Sequence, residues 1–488
     1  MKKKSLQSES HLCKTVLFLL RAGWFFIALS VVSGCATYHP LPINPETVHS
    51  RLNPPDMNEV QMKAGEFKHP ILKALPFDAS DGLSPDEAAI LAVIINPSLQ
   101  AARDARGLAA SQVLEAGILP NPQLSYSFAT PVGGGTSGTV NGFDLGIDWD
   151  VFSLVTRSCR VAAAHSHAAS VNLEIAWKEW QVAEAAKLHV YRLLIAEKHL
   201  DSAKAAAQVA KRAYKTLRRG VDLGLETDQQ LLPAQSLLRE ARAEVLTAQS
   251  EVNTERLELN RSLGFPSKKN VMVEDHLTLF QAENIPSVQK LTTNIEKRRL
   301  DLLAFRYGYE SQEEHLRAAI RSQFPRISLG VTESSDTDSL QTLGIGITIS
   351  LPIFDRNQGR IAIERATRKQ LFDEYASRLF EARADVAKIA EGLRSTAEQL
   401  KNNKKSVLEL RQLAKRYHGA VDRGNASIFG YYQIMLQLYS SELKKPALQR
   451  QLVDFAIGLE IASGQYIFTG SRLRPEQTQT ARKSEDLK

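Results

Sequence analysis

Cysteine is nearly absent: there are three in 488 residues, at positions 13, 35 and 159, too few and too far apart for a structural metal cluster. With 27 glycines and 19 prolines the chain is neither collagen-like nor low in complexity. Aromatics make up only 7%. No GxxxxGK[ST], HExxH or GxSxG occurs, so these common signatures of phosphate, zinc-hydrolase and acyl-transfer sites are missing and an enzyme is not expected. Gly133-Gly134-Gly135 falls in a loop with no Lys-Ser helix behind it. A strong charge of one sign is also lacking. The formal net charge is +7, and Lys2, Lys3, Lys4, Lys14 and Arg21 against Glu9 supply four of it, leaving +3 for the rest. That excess is too small to argue for a nucleic-acid partner. The chain is 43% apolar and 24% charged, which excludes wholesale disorder. Long stretches are dominated by Ala, Leu, Gln, Glu, Lys and Arg, a helical composition.

The first 34 residues read as an address. Basic residues to Lys14 precede a mostly apolar run from Thr15 to Val32, which ends in Val32-Ser33-Gly34-Cys35. Those four residues resemble a bacterial lipobox, which predicts acylation of Cys35 after cleavage, and Ala36 behind it favours the outer membrane. No cofactor is expected beyond that covalent lipid. Cys13 would leave with the signal, so Cys159 stands alone as a small packing residue. Residues 36–80 hold seven prolines and little periodicity, and read as an extended tether or wrapping segment.

Ser84-Pro85-Asp86-Glu87 then signals a helix start, with a stop at Asn96-Pro97 and a second helix over about 98–116. Period-two alternation follows. Leu124, Tyr126 and Phe128 share one face; after a loop, Phe143, Leu145, Ile147, Trp149 and Val151 oppose Asp144, Gly146, Asp148 and Asp150. From Val155 to Gly220 there is no internal Gly or Pro, and a helix of that length would run about 100 Å. The segment 220–224 breaks it, and a return helix ends at Leu263-Gly264.

The second half repeats this plan. Ile327, Leu329 and Val331, then Leu343, Ile345, Ile347, Ile349 and Leu351, alternate as before. A long helix from about Gln358 to Arg423 breaks at Gly424 and returns to Ser463-Gly464. Gly146, Gly224 and Gly264 recur 200 positions later as Gly346, Gly424 and Gly464, the mark of a tandem duplication. Nine-residue alternating strands have the length that crosses a bilayer core, and in lipid a sheet must close. Four strands cannot close a spanning barrel, so strands must combine between chains, three of which would give twelve.

These residues resemble the TolC family of outer-membrane efflux proteins over about 83–466. The resemblance rests on Asn96-Pro97-Ser98-Leu99-Gln100-Ala101-Ala102-Arg103, on Ala116-Gly117-Ile118-Leu119-Pro120-Asn121-Pro122, and on Leu351-Pro352-Ile353-Phe354-Asp355-Arg356-Asn357-Gln358-Gly359. It implies a mainly α fold with a small β part: a homotrimer whose twelve-stranded outer-membrane β-barrel continues as a periplasmic α-helical barrel. It implies passive conduction of substrates delivered by an inner-membrane RND-type pump through a periplasmic adaptor. Domain boundaries follow as signal 1–34, lipidated Pro-rich segment 35–82, repeats 83–266 and 267–466, and a polar tail 467–488. Type I secretion is the nearest rival within this class, and a lipid-anchored coiled-coil scaffold without a pore is the rival outside it. A periplasmic adaptor would carry a single helical hairpin, which the duplication argues against.

Asp144, Asp148 and Asp150 are the expected lumen-facing acids, near the pore mouth. The tip near Gly224 and Gly424 is where the family carries its gate and adaptor contact. The family's acidic positions there are Gln230 and Gly430 in this chain, which puts an acidic gate in doubt. Glu226 and Asp228 (with Asp222) could substitute, Tyr431 and Tyr432 either narrow the pore or pack between helices, and Gln433, three residues beyond Gly430, is a further tip candidate. His165 and His167, two apart, and the run Glu313-Glu314-His315 read as surface or packing residues rather than metal ligands.

Overall fold

A computed structural model describes residues 36–52, 57–73, 82–135, 138–274 and 285–468; Cys35, the signal and most of the tail lie outside the described residues. Of the described residues, 36–52 form a unit of their own, containing helix α1 (Pro45–Leu52) with proline at its first position. All else belongs to a second unit.

That unit opens with α2 (Met57–Gly65), so the segment expected to be extended is partly helical. Met57, Val60 and Ala64 recur at helical spacing, and Val60 and Ala64 are buried, which supplies the apolar face that the proline count concealed. Helix α3 (Pro85–Ile95) begins with a full capping box between Ser84 and Glu87. Asn96 ends α3 and caps α4 (Pro97–Gly117) through its side chain on the Ser98 amide, 2.9 Å.

Strands β1 (Gln123–Ala129) and β2 (Gly142–Asp150) form the first hairpin. Helix α5 (Ser153–Asp222) follows, 70 residues or about 105 Å, and α6 (Asp228–Leu263) returns along it. The second half has the short α7 (Val288–Thr292), then α8 (Leu300–Arg321), β3 (Arg326–Ser335), β4 (Gln341–Ser350), the 65-residue α9 (Gln358–Asp422) and α10 (Ile428–Ser463). Gly220 does not break α5. It lies within the helix, where a Cβ would meet Glu226 Cγ at 2.9 Å, and the break falls at Gly224, φ +72°. Gly424 turns the second hairpin in the same way at φ +75°.

The four strands make one antiparallel sheet in the order β1-β2-β3-β4, so the two hairpins meet at β2–β3. The core runs along the helices. One cluster joins α3, α5 and α6 through Leu91, Leu193, Val252 and Leu259, and a counterpart joins α8, α9 and α10 through Leu302, Val386, Leu393 and Leu459. Tyr191 and Ile195 of α5 against Val453 and Ile457 of α10 knit the halves together. Cys159 is free and buried, and no helix among the described residues is long and apolar enough to cross a membrane.

Candidate functional site

The sheet has two chemically different faces. Register pairs Leu124 with Ile147, Ile147 with Val331, and Val331 with Ile345, so the apolar residues of all four strands share one side. That side is bare: Ile345 is 85% exposed and Leu343 77%. Exposed apolar surface on this scale needs a nonaqueous neighbour. The opposite face holds Ser125, Ser127, Ser328, Thr332, Thr348 and the three acids. Asp144 accepts a hydrogen bond from Ser127 Oγ at 3.2 Å. Asp148 lies over the bare backbone of Gly330, where a Cβ would come within 2.9 Å of its carboxylate. Asp150 Oδ1 accepts the Phe152 amide at 2.9 Å, tying the sheet to the start of α5. The acids are therefore spread along about 20 Å of strand rather than gathered at one mouth.

Both outer strands, β1 and β4, have one unpaired edge among the described residues. Beneath the sheet, Trp149 Nε1 donates to Pro120 O at 2.9 Å, and Asn357 Nδ2 donates to Ala319 O at 2.7 Å. These bonds use residues of two of the motifs that carry the family resemblance to fix the strand-to-helix corners.

At the far end stand the two helical turns. Thr227 N donates to Gln230 Oε1 at 2.7 Å, so Gln230 is engaged in capping α6. Asp228 opens that helix and is exposed, and Glu226 is half-buried against Gly220. Tyr432 is buried among Leu217, Leu231 and Ala234, its hydroxyl donating to Ala213 O at 3.3 Å. Burial, with Tyr431 and Glu226 adding to it, pushes that phenol up to about 12. Tyr432 therefore packs within the protomer. Tyr431 is half-buried and stacks edge-on against His418 at 5.2 Å, and Gln433 is exposed. The Tyr417 hydroxyl occupies the space a side chain at Gly430 would need. Between the two helical hairpins lies a groove of about 680 Å³ lined by Ala206, Leu237, Leu408, Tyr431, Met435 and Tyr439.

Sequence reasoning missed a fully buried charged cluster. Lys187 on α5 is fully buried, with Nζ 2.7 Å from Glu460 on α10, 3.7 Å from Asp86 on α3 and 4.0 Å from Glu184. The Nζ also lies 4.8 Å from the centre of the Tyr466 ring. Burial alone would push Lys187 toward its neutral form, but Glu184, Glu460 and Asp86 outweigh it and hold the ammonium above its ordinary value. Burial, opposed by Lys187 and reinforced by Glu460, drives Glu184 well above the usual carboxylate range. Glu460 Oε1 accepts the amides of Ile467 and Phe468 at 2.8 and 2.7 Å, pinning the chain beyond α10. The readable signal was Glu184, Lys187 and Tyr191 at helical spacing on the stripe that carries Trp180 and Ala183, charge where burial was due.

Among the described residues no group of three His, Cys, Asp or Glu side chains is placed to hold a metal ion. The arrangement instead offers a two-faced sheet open at both edges and paired rods ending in tight turns. A model of the family described as outer membrane efflux protein matches residues 91–265 and 291–465, two stretches that start 200 positions apart. The cobalt-zinc-cadmium resistance protein CzcC of Cupriavidus metallidurans is 23% identical over 380 residues, 77% of this chain and 86% of its own. Among solved structures, CusC is similar with a TM-score of 0.67 at 17% identity, covering 82% of this chain and 98% of its own. The Campylobacter jejuni CmeC outer membrane channel gives 0.66 at 16% identity, covering 87% and 95%.

Proposed function

The chain belongs to the outer membrane efflux protein family, and from that premise we propose that three copies close their sheets edge to edge into a twelve-stranded barrel. The observation that carries this reading is the four-stranded sheet, apolar on one face and polar on the other, with β1 and β4 each leaving an edge unpaired. In lipid an open edge is too costly, and β4 of one copy meeting β1 of the next removes every edge. The helices support self-association. α5 buries 23 of its side chains within one protomer, while α9, nearly as long, buries nine and leaves Phe372 and Phe380 60% and 74% exposed.

The apolar faces then meet lipid and the polar faces line a lumen that continues into a periplasmic barrel of helices. Residues 83–266 and 267–466 are its two repeats, segment 35–82 is held to the outer membrane by acyl chains on Cys35, and 467–488 is a polar tail. No bond is made or broken. An inner-membrane pump of the RND type supplies the energy and a periplasmic adaptor joins it to the tips at Gly224 and Gly424, where Tyr431 and Gln433 remain free to narrow the passage. The acids of the polar face, together with similarity to a protein named for cobalt, zinc and cadmium resistance, favour cations as cargo.

The test is the oligomer mass of the detergent-extracted protein together with its conductance in planar bilayers. A three-chain mass with a small, steady, cation-preferring conductance is expected. A monomeric or dimeric mass without conductance would overturn the conduit and favour a scaffold.

A further inference from the structure

The two histidine-bearing segments that had no assigned role, His167 and the run ending in His315, come together in the structure. With Gln112 and Glu115 of α4, Arg160 of α5 and the small residues Ala116, Ala163 and Ala164 they line a cavity of about 450 Å³. Ser311 Oγ, also in the lining, donates to Ala163 O at 2.9 Å and ties α8 to α5 there. Other arginines nearby are satisfied by the protein. Arg157 donates to Gly117 O at 2.8 Å and Arg321 to Ser158 Oγ at 2.8 Å. Arg160 differs: its Nε and Nη2 are both withdrawn from solvent, and neither has a hydrogen-bond acceptor among the described residues, Glu115 included. Burying guanidinium donors unpaired costs stability, so such a group calls for an acceptor.

We propose that this cavity binds a phosphate-type oxyanion, the Arg160 fork gripping it while His167, His315 and the Gln112 amide close around it. A guanidinium matches two oxygens of a tetrahedral anion at once, which an ammonium cannot do. The cavity is large enough for a phosphate that carries a substituent. A metal cation is the poorer occupant, since His167, His315 and Glu115 do not form a ligating group. Glu115 is exposed at the rim, where solvent screens its repulsion. Arg160 lies seven residues into α5, about 10 Å past the start of the helix that follows β2. If the sheet spans the membrane as proposed, that depth is close to the phospholipid headgroups on the periplasmic side, so the anion can come from a lipid or from free phosphate. The anion site itself does not depend on that reading.

The experiment is calorimetric titration of the full-length, detergent-purified protein with inorganic phosphate, repeated on R160Q, R160K and H315Q after confirming unchanged oligomer mass. The wild type is expected to bind, with a loss of about tenfold or more in R160Q and a smaller loss in H315Q. R160K keeps stem and charge, so it reports even where R160Q fails to fold, and it is expected to bind several-fold more weakly for want of the fork. No heat with the wild type, or wild-type affinity in R160K or R160Q, would overturn the site. A second arm adds vesicles of phosphatidylglycerol or of phosphatidylcholine. Displacement of phosphate by the anionic vesicles assigns the site to a headgroup, and no displacement assigns it to a soluble anion. Either result leaves the conductance test of the conduit independent.

Discussion

Replacing Lys187 by Met tests whether the buried ion pair between the two repeats holds them together. Nζ lies 2.7 Å from Glu460 Oε2 and both side chains are fully buried. At that distance and an effective dielectric near 20 the attraction is roughly 6 kcal/mol, against which stands the desolvation of both ions. Methionine keeps the volume of the stem but strips Glu460 of its cation, leaving it the Ile467 and Phe468 amides and the neighbouring Glu184 carboxyl. Removing one partner of a buried pair costs about 3–5 kcal/mol, and that is the expected loss. Adding Glu460→Gln removes the stranded charge yet keeps the oxygen that accepts those two amides. The double variant should therefore recover about 2 kcal/mol or more relative to K187M. Urea unfolding of detergent-solubilised protein, followed by circular dichroism, measures all four corners of the cycle. If K187M lies within about 0.5 kcal/mol of the wild type, or if the two substitutions add, the account of the pair is wrong.

Burial raises the folded Glu184 carboxyl well above its ordinary value, so folding above 4.5 takes up a proton there, and Glu184→Gln, which needs none, should be more stable than the wild type at neutral pH. The raised folded value means this group's contribution is full below 4.5 and declines as pH rises, so E184Q should flatten the stability profile from 4.5 upward; an unchanged profile would contradict this. His69 behaves in the opposite sense: burial lowers its value, and its Nδ1 accepts the Ile71 and Leu72 amides at 3.1 and 3.0 Å. Its contribution is complete above 6.5 and is lost as pH falls below that toward the lowered folded value, so the exchange protection factors of the amides at residues 71 and 72, corrected for intrinsic rates, should fall in mild acid. Protection factors that do not change across that window would refute it. Neutralising Asp144, Asp148 and Asp150 together to Asn should reduce cation preference in bilayers without altering oligomer mass, and unaltered selectivity would remove them from the lumen.

The local grammar of this chain was legible without a structure because it depends on neighbours in sequence. Alternation placed all four strands, since a period of two is written into consecutive residues. Helix lengths followed from the absence of Pro and Gly between 155 and 220, and the turns from Gly224 and Gly424, whose positive φ a glycine adopts freely. The N-terminal segment was read less well, because proline count masked the short apolar stripe of Met57, Val60 and Ala64.

What tertiary structure alone decided were the encounters across long separations. Pairing of β2 with β3, rather than two isolated hairpins, joins residues almost 200 positions apart, and periodicity within a strand says nothing about which edge it meets. Lys187 and Glu460 are 273 positions apart, and only packing of α5 on α10 removes both from water and makes their charges consequential. The same holds for Arg160, His167 and His315, three unremarkable polar residues in sequence until α5 and α8 close around a shared cavity. Sequence sets the shape of each element because its forces act within a few residues. Burial and charge pairing are decided by which faces come together, and that information exists only in the packed chain.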